Sequence, residues 1–412
     1  VSWQQQIDTA RQVGLEVLQP TEAQLEHGLE LHAASVVAES YSLGVIAPID
    51  GVAVSKAVEA GASDAELQLL TESMRMTRWS ANADLRAEYE GAWEASGVDC
   101  AFQNAGEEGN DALRMLGRLA HYTHLTDHMR DFVTRTAFPE DIETARSAGR
   151  RSIVQTCNGI PLAGEGLTVE SELRYVRLFF ELGCRMMHLT YNRRNLIGDG
   201  CAEPGNAGLS DFGRAAVAEL NRSGIIIDVA HSGWQTCLET AQTSAVPMVS
   251  SHATCDALNH HHRAKPDDLM KAIANTGGTV GITNVPAFLG GSGCIDAMLD
   301  HLDHAIQVVG AEHVTIGTDR PYMSVRVKEE SAKVTASQRR QRTRWEALWW
   351  EDDPVHQSKW KEKRMAQSTT WTNWPLFTVG LVQRGHSDED IRRIIGGNIL
   401  RVAHDVYAAR EI

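Results

Sequence analysis

Apolar residues recur along this chain in two alternating rhythms: short continuous runs, and longer stretches with helical spacing. Residues 3–45 read as helices, and Thr21 with Gln24 forms a capping-box pattern at the head of the second. The run 44–50 (GVIAPID) reads as a first strand ending at Asp50-Gly51. Strand-like runs follow at 97–105, 151–159, 184–192, 225–231, 246–253, 279–286 and 313–320. Helical spacing occupies 113–133, 171–183, 211–224, 234–244, 269–278 and 297–310, with Gly224 closing one helix. Continuous runs such as IIIDVA fit parallel strands covered on both faces. About eight such units predict an α/β fold, a (β/α)8 TIM barrel.

Two segments frame the repeat. Residues 1–45 form a helical extension, and the barrel domain spans 46–412. Within it, 324–371 is rich in Lys, Arg, Glu and Trp and reads as a solvated helical insertion. A lid or an oligomer contact is the alternative, because Trp345, Trp349, Trp350, Trp360, Trp371 and Trp374 would otherwise expose much apolar surface. Residues 387–407 read as closing helices around the Gly396-Gly397 break.

In such a barrel the carboxyl ends of the strands carry the chemistry. That nominates Asp50, Asn158, Tyr191, His231, His252 and Asp319. His231 and His252 end consecutive strands, and neighbouring strands lie ~5 Å apart, so one divalent ion can be shared between them. Asp319 is a third ligand or the base that takes a proton from water. Imidazole with carboxylate suits zinc, with manganese or iron as alternatives. Arg263 offers a fork for a substrate carboxylate. Tyr191 and Asn192 point to substrate, Arg193 and Arg194 to solvent. His188 reads as a packed core histidine. His260, His261 and His262 read as a polar loop, since consecutive side chains point in different directions.

Charge narrows the partners. With 39 basic and 54 acidic side chains the net charge is −15, which excludes a general nucleic-acid binder but leaves room for a local basic pocket. No apolar run reaches the ~18 residues of a membrane span. The seven cysteines include no CxxC pair and fit reduced thiols. With no basic and apolar leader at the N-terminus, this makes the expected location cytoplasmic.

At LTYNRRNLIGDG, GLSDFGRAAVAELNRSGIIIDVAHSG, VPMVSSHA, HRAKPDD, HVTIGTD and IIGGNILRV the chain resembles the membrane dipeptidase family, the M19 metallopeptidases. The resemblance runs from about residue 45 to 407. It implies an amidohydrolase-type barrel with two divalent metals, usually zinc, that hydrolyses dipeptides. It also implies roles: His231 and His252 as metal ligands, Arg263 on the substrate's terminal carboxylate, Asp319 as catalytic aspartate, and Tyr191 where the family has a substrate-binding histidine. The departures change the chemistry. The family's Asp-Gly-His-x-Asp is here Asp50-Gly51-Val52-Ala53-Val54, and its bridging glutamate aligns with Asn158. Two neutral histidines do not hold two close cations without carboxylates, so one divalent metal is expected rather than a binuclear centre. The expected function is a metal-dependent hydrolase of a dipeptide or other small carboxylate-bearing amide, with a homodimer as the expected assembly. The alternatives are a lyase, isomerase or decarboxylase over an apolar floor of Val52 and Val54, or an inactive binding protein.

Overall fold

The structure is a computed structural model that describes residues 2–105, 110–166, 168–335 and 348–411. Its central sheet is parallel. The strands follow the chain: β1 (Ala38–Ser42), β2 (Cys100–Asn104), β3 (Arg151–Cys157), β4 (Cys184–His188), β5 (Ile226–Asp228), β6 (Val249–Cys255), β7 (Thr279–Ile282) and β8 (Val314–Ile316). The edges meet where Asp319 N donates to Tyr41 O at 3.5 Å and Thr315 Oγ1 to Ser40 Oγ at 3.2 Å. Gly317 makes this seam possible, since a Cβ there would stand 2.1 Å from Ser251 O. The result is the nearly closed (β/α)8 barrel expected from the repeat.

One end of the cylinder is plugged. Cys100, Phe102, Val154, Met186, Ile226 and Val249, from the first residues or the middles of their strands, pack with Ile399, Val402 and Val406. Those three lie on the closing helix Asn398–Ala408, which continues from a widened turn at Arg393–Gly397 rather than breaking at the glycines. Chemistry is left to the opposite, carboxyl end. The capping box at Thr21 and Gln24 forms as read, at the head of helix Glu22–Ala34. That helix lies against Trp374–Gln383 so closely that a Cβ on Gly28 would meet Val379 Cα at 2.7 Å.

The first strand is a correction. β1 is Ala38–Ser42, inside the stretch read as helical extension, so the barrel begins before residue 46. The run 44–50 supplies only Val45–Ile46, paired with Tyr322–Met323 in a separate two-stranded sheet. Asp50 caps helix Gly51–Glu59, its Oδ1 accepting from Ala53 N at 3.0 Å. The reason is chemical. β1 carries Glu39, Ser40 and Ser42, all fully buried, so no apolar run announces it. Their polarity is satisfied in place: Glu39 accepts from Trp371 Nε1 at 2.7 Å and Thr318 N at 3.0 Å, and Ser40 Oγ donates to Ser251 O at 2.8 Å.

Of the Trp-rich insertion's described parts, Val327–Ala332 is a short helix with no buried residue, whereas 348–371 is not a solvated helix. Residues 348–371 form turns and a short helix, Lys363–Ser368, and Trp349 and Trp371 are buried. Trp374, in the helix that follows, is buried as well. Trp349 stacks on Phe288 at 5.5 Å, and Trp350 Nε1 donates to Ala202 O at 2.9 Å. Trp345 lies outside the described residues. Among the described residues, no helix is long and apolar enough to cross a membrane.

Candidate active site

Three imidazoles converge at the carboxyl end of the barrel. His188 ends β4, His231 follows β5, and His252 sits inside β6. One ring nitrogen from each lies within 4.8 Å of the others. Their outer partners fix which nitrogen that is. His188 Nδ1 faces Cys157 O at 3.1 Å, and a carbonyl can only accept. His231 Nδ1 faces Asn192 Oδ1 at 2.7 Å. His252 Nδ1 lies 2.8 Å from Ser251 Oγ, whose own proton goes to Asp228 Oδ2. Each Nδ1 therefore carries the proton, and each Nε2 presents a lone pair.

Those lone pairs need a cation. His231 Nε2 and His252 Nε2 stand 3.0 Å apart, and His188 Nε2 is buried without a hydrogen-bond partner. Two lone pairs at that distance repel unless a positive charge lies between them. Ligands ~2.0–2.1 Å from zinc, at ordinary coordination angles, are ~3 Å apart. The donor set thus fits one first-row metal. Asp228 Oδ2 lies beside His188 Nε2 at 3.1 Å, so a carboxylate charge is at hand. Burial first, and the Arg263 guanidinium second, hold His231 and His252 well below the usual imidazole range, so both stay neutral as ligands must.

A cavity of about 440 Å³ opens beside the histidines. Its wall includes Tyr41, Asn158, Tyr191, His231, Asp319 and Arg320. Tyr41 stacks on His252 with ring centroids 3.7 Å apart, and Tyr191 stacks on His231 at 4.0 Å. Tyr41 donates its hydroxyl to Asn158 Oδ1 at 2.9 Å, and burial keeps that phenol protonated. The Asn158 amide nitrogen makes no hydrogen bond among the described residues. Asp319 takes the left-handed conformation, φ 53°, which aspartate tolerates. Burial pushes its carboxyl up to about 7, against the pull of Arg263 and Arg320.

Several sequence expectations change. Asp319 lines the cavity but is not part of the convergent donor set. Asp50, Val52 and Val54 are absent from the wall, and Val52 is 51% exposed on helix Gly51–Glu59, so no apolar floor forms. Arg263 is buried and does not line the cavity. Its terminal nitrogens donate to Ala230 O and, at 2.9 Å, to His252 O, pinning the two segments that carry His231 and His252. Arg263→Met is accordingly expected to keep the fold but loosen metal retention ~10–100-fold, as second-sphere changes do; competition against a chromogenic chelator measures it.

The sequence reading missed two site residues. Tyr41 lies on the unread strand, and His188, among apolar neighbours, reads as core from sequence. His188 did carry a signal: it lies within the strand-like run that leads to Tyr191, one strand before His231. His261 and His262 also depart from expectation, for their rings stack at 4.1 Å and both face Asp353, at 3.3 and 3.4 Å. His261 Nδ1 accepts from Arg263 N at 3.0 Å, so its Nε2 holds a proton and donates to Asp353 rather than binding metal. This contact ties the 348–361 segment down as a roof, from which Trp349, Val355, Trp360 and Lys361 line the cavity.

The comparisons agree with this architecture. The model of the membrane dipeptidase family, peptidase family M19, matches residues 49–332. The dipeptidase aclJ of Aspergillus oryzae is 28% identical over 76% of this chain and 67% of its own length. The dipeptidase verJ of Clonostachys rogersoniana is 29% identical over 56% of this chain. This chain therefore spans about two thirds of the first and half of the second. Among solved structures, an amidohydrolase from Pseudomonas aeruginosa superposes with a TM-score of 0.67 at 25% identity, covering 92% of this chain and 99% of that one.

Proposed function

Because the chain belongs to the membrane dipeptidase family, peptidase family M19, we propose that it is a metal-dependent hydrolase of dipeptide-like amides bearing a carboxylate, built around one divalent metal. The observation that carries this reading is the convergence of His188, His231 and His252, with Nε2 lone pairs 3.0 Å apart on the last two. A metal held there supplies Lewis acidity, polarising a carbonyl and acidifying water. Zinc suits three imidazoles, and manganese or iron use the same donors. A second ion lacks a bridging carboxylate, because Asn158 is neutral.

Asp319 accepts the proton of the attacking water and returns it to the leaving amine as the C–N bond breaks. A carboxyl pushed up to about 7 is matched to both halves of that transfer near neutral pH. The amide N–H of Asn158 donates to the oxygen of the scissile carbonyl as charge builds on it. Its other end is held by Tyr41. Tyr191, flat against His231, offers the substrate an aromatic wall.

The test is metal analysis joined to turnover. The purified chain is expected to hold one divalent ion, to lose hydrolysis of a dipeptide library on chelation, and to regain it on metal addition. Full turnover by the chelated protein sinks the proposal, and two tightly held ions per chain sink the single-metal part of it.

A further inference from the structure

The cavity wall is positive in a chain that is strongly negative overall. Its titratable lining includes Arg118, Arg320 and Lys361 against one carboxyl, Asp319, in a protein of net charge −15. Arg118 is already held by Glu72, Nη2 to Oε1 at 2.8 Å. Arg320 and Lys361 have no carboxylate within 4.0 Å among the described residues, and neither side chain makes a hydrogen bond there. They come from different parts of the fold: Arg320 follows Asp319 after β8, and Lys361 ends the roof turn Ser358–Lys361. Arg320 is half-buried, and loss of solvent weakens its hold on its proton, in part offset by the neighbouring Asp319 carboxyl.

A substrate with a single carboxylate leaves one of these cations unanswered. We propose that the substrate is dianionic, a dipeptide-like amide carrying a second, side-chain carboxylate, with Arg320 and Lys361 each holding one acid group. Arg320 takes the terminal carboxylate, since its planar fork accepts two oxygens beside the base Asp319. Lys361, a point charge on a flexible stem, takes the side-chain carboxylate from the roof. Arg263, whose terminal nitrogens hold backbone carbonyls, is relieved of that role. The inference rests on reading this cavity as the hydrolytic site.

Matched pairs that differ only in charge test it on the full-length, metal-loaded protein: Ala-Glu against Ala-Gln, and Glu-Ala against Gln-Ala. Lys361 is exposed, so its screened charge-assisted contact predicts ~2–5-fold higher kcat/KM for the better acidic member, expressed in KM rather than kcat. Lys361→Met collapses that preference toward unity, and Arg320→Met raises KM for every dipeptide. In parallel, calorimetry compares glutarate with glutaramate, which probes recognition without turnover. Absence of hydrolysis, with glutarate bound ~2–5-fold tighter than glutaramate, overturns the hydrolase reading and keeps the dianion site. Equal affinity for the two probes, a preference for the neutral dipeptides, or a charge preference that persists in both variants overturns the dianion site.

Discussion

His252→Ala is expected to abolish metal binding and turnover together while the barrel stays folded. The side chain lies inside β6, fully buried, with Nε2 3.0 Å from His231 Nε2 and its ring beneath Tyr41. Removing it deletes one donor and unseats another, since His231 loses the partner that defines the ligand edge. Loss of the Lewis acid costs several kcal/mol of transition-state stabilisation, so kcat/KM falls by ~10³-fold or more. His188→Ala separates a three-histidine site from a two-histidine one. A loss of ~100-fold or more in metal affinity, read by chelator competition, accords with three donors. Unchanged affinity would reduce the site to His231 and His252. Circular dichroism distinguishes loss of metal from loss of fold in both variants.

How far this centre was legible in the sequence depended on what surrounds each residue. His231 and His252 stood out because their strands, IIIDVA and VPMVSS, are mostly apolar and end in an imidazole. The barrel itself was legible for the same reason, since buried parallel strands leave continuous apolar runs. β1 was hidden because AESYS buries its polar groups against one another and against Thr318, Ser251 and Trp371, a solution that exists only in three dimensions. Tyr41 went with it. His188 was visible but ambiguous, because a histidine beside apolar residues reads as core until its Nδ1 partner is known. Arg263 illustrates the opposite error. Its position along the chain suggested a substrate contact, whereas its guanidinium is taken up by two carbonyls. The tryptophans of 324–371 offered a lid as one alternative, but its anchor was hidden, for the stacking of two consecutive histidines against Asp353, some ninety residues away, has no periodic trace.

Asp319→Asn is expected to move activity and stability in opposite directions. Asparagine keeps the shape and tolerates the left-handed backbone at φ 53°, so the barrel seam at Tyr41 is retained. It does not accept a proton, and kcat falls ~10²–10⁴-fold, the usual worth of a positioned base. For the unaltered protein the same group sets an acid limb: kcat/KM declines as pH drops below about 7, where the carboxyl protonates. The stability sign follows from the direction of that shift. Burial raises the folded-state value to about 7, above ~3.9 in the unfolded chain. Between those values the folded chain binds a proton that the unfolded chain has released, so stability falls as pH rises through the window. Glu39, also pushed up to about 7 by burial, contributes a parallel slope. The asparagine variant removes only the Asp319 share. In thermal melts of chelated protein, its advantage over the unaltered chain should be absent near pH 4, grow through pH 7 and level off above it. A variant that is inactive yet no more stable at pH 8 than at pH 4, relative to the parent, would show that Asp319 is ionised in the resting fold. The base would then work from a carboxylate already formed, and the acid limb would have to come from another group.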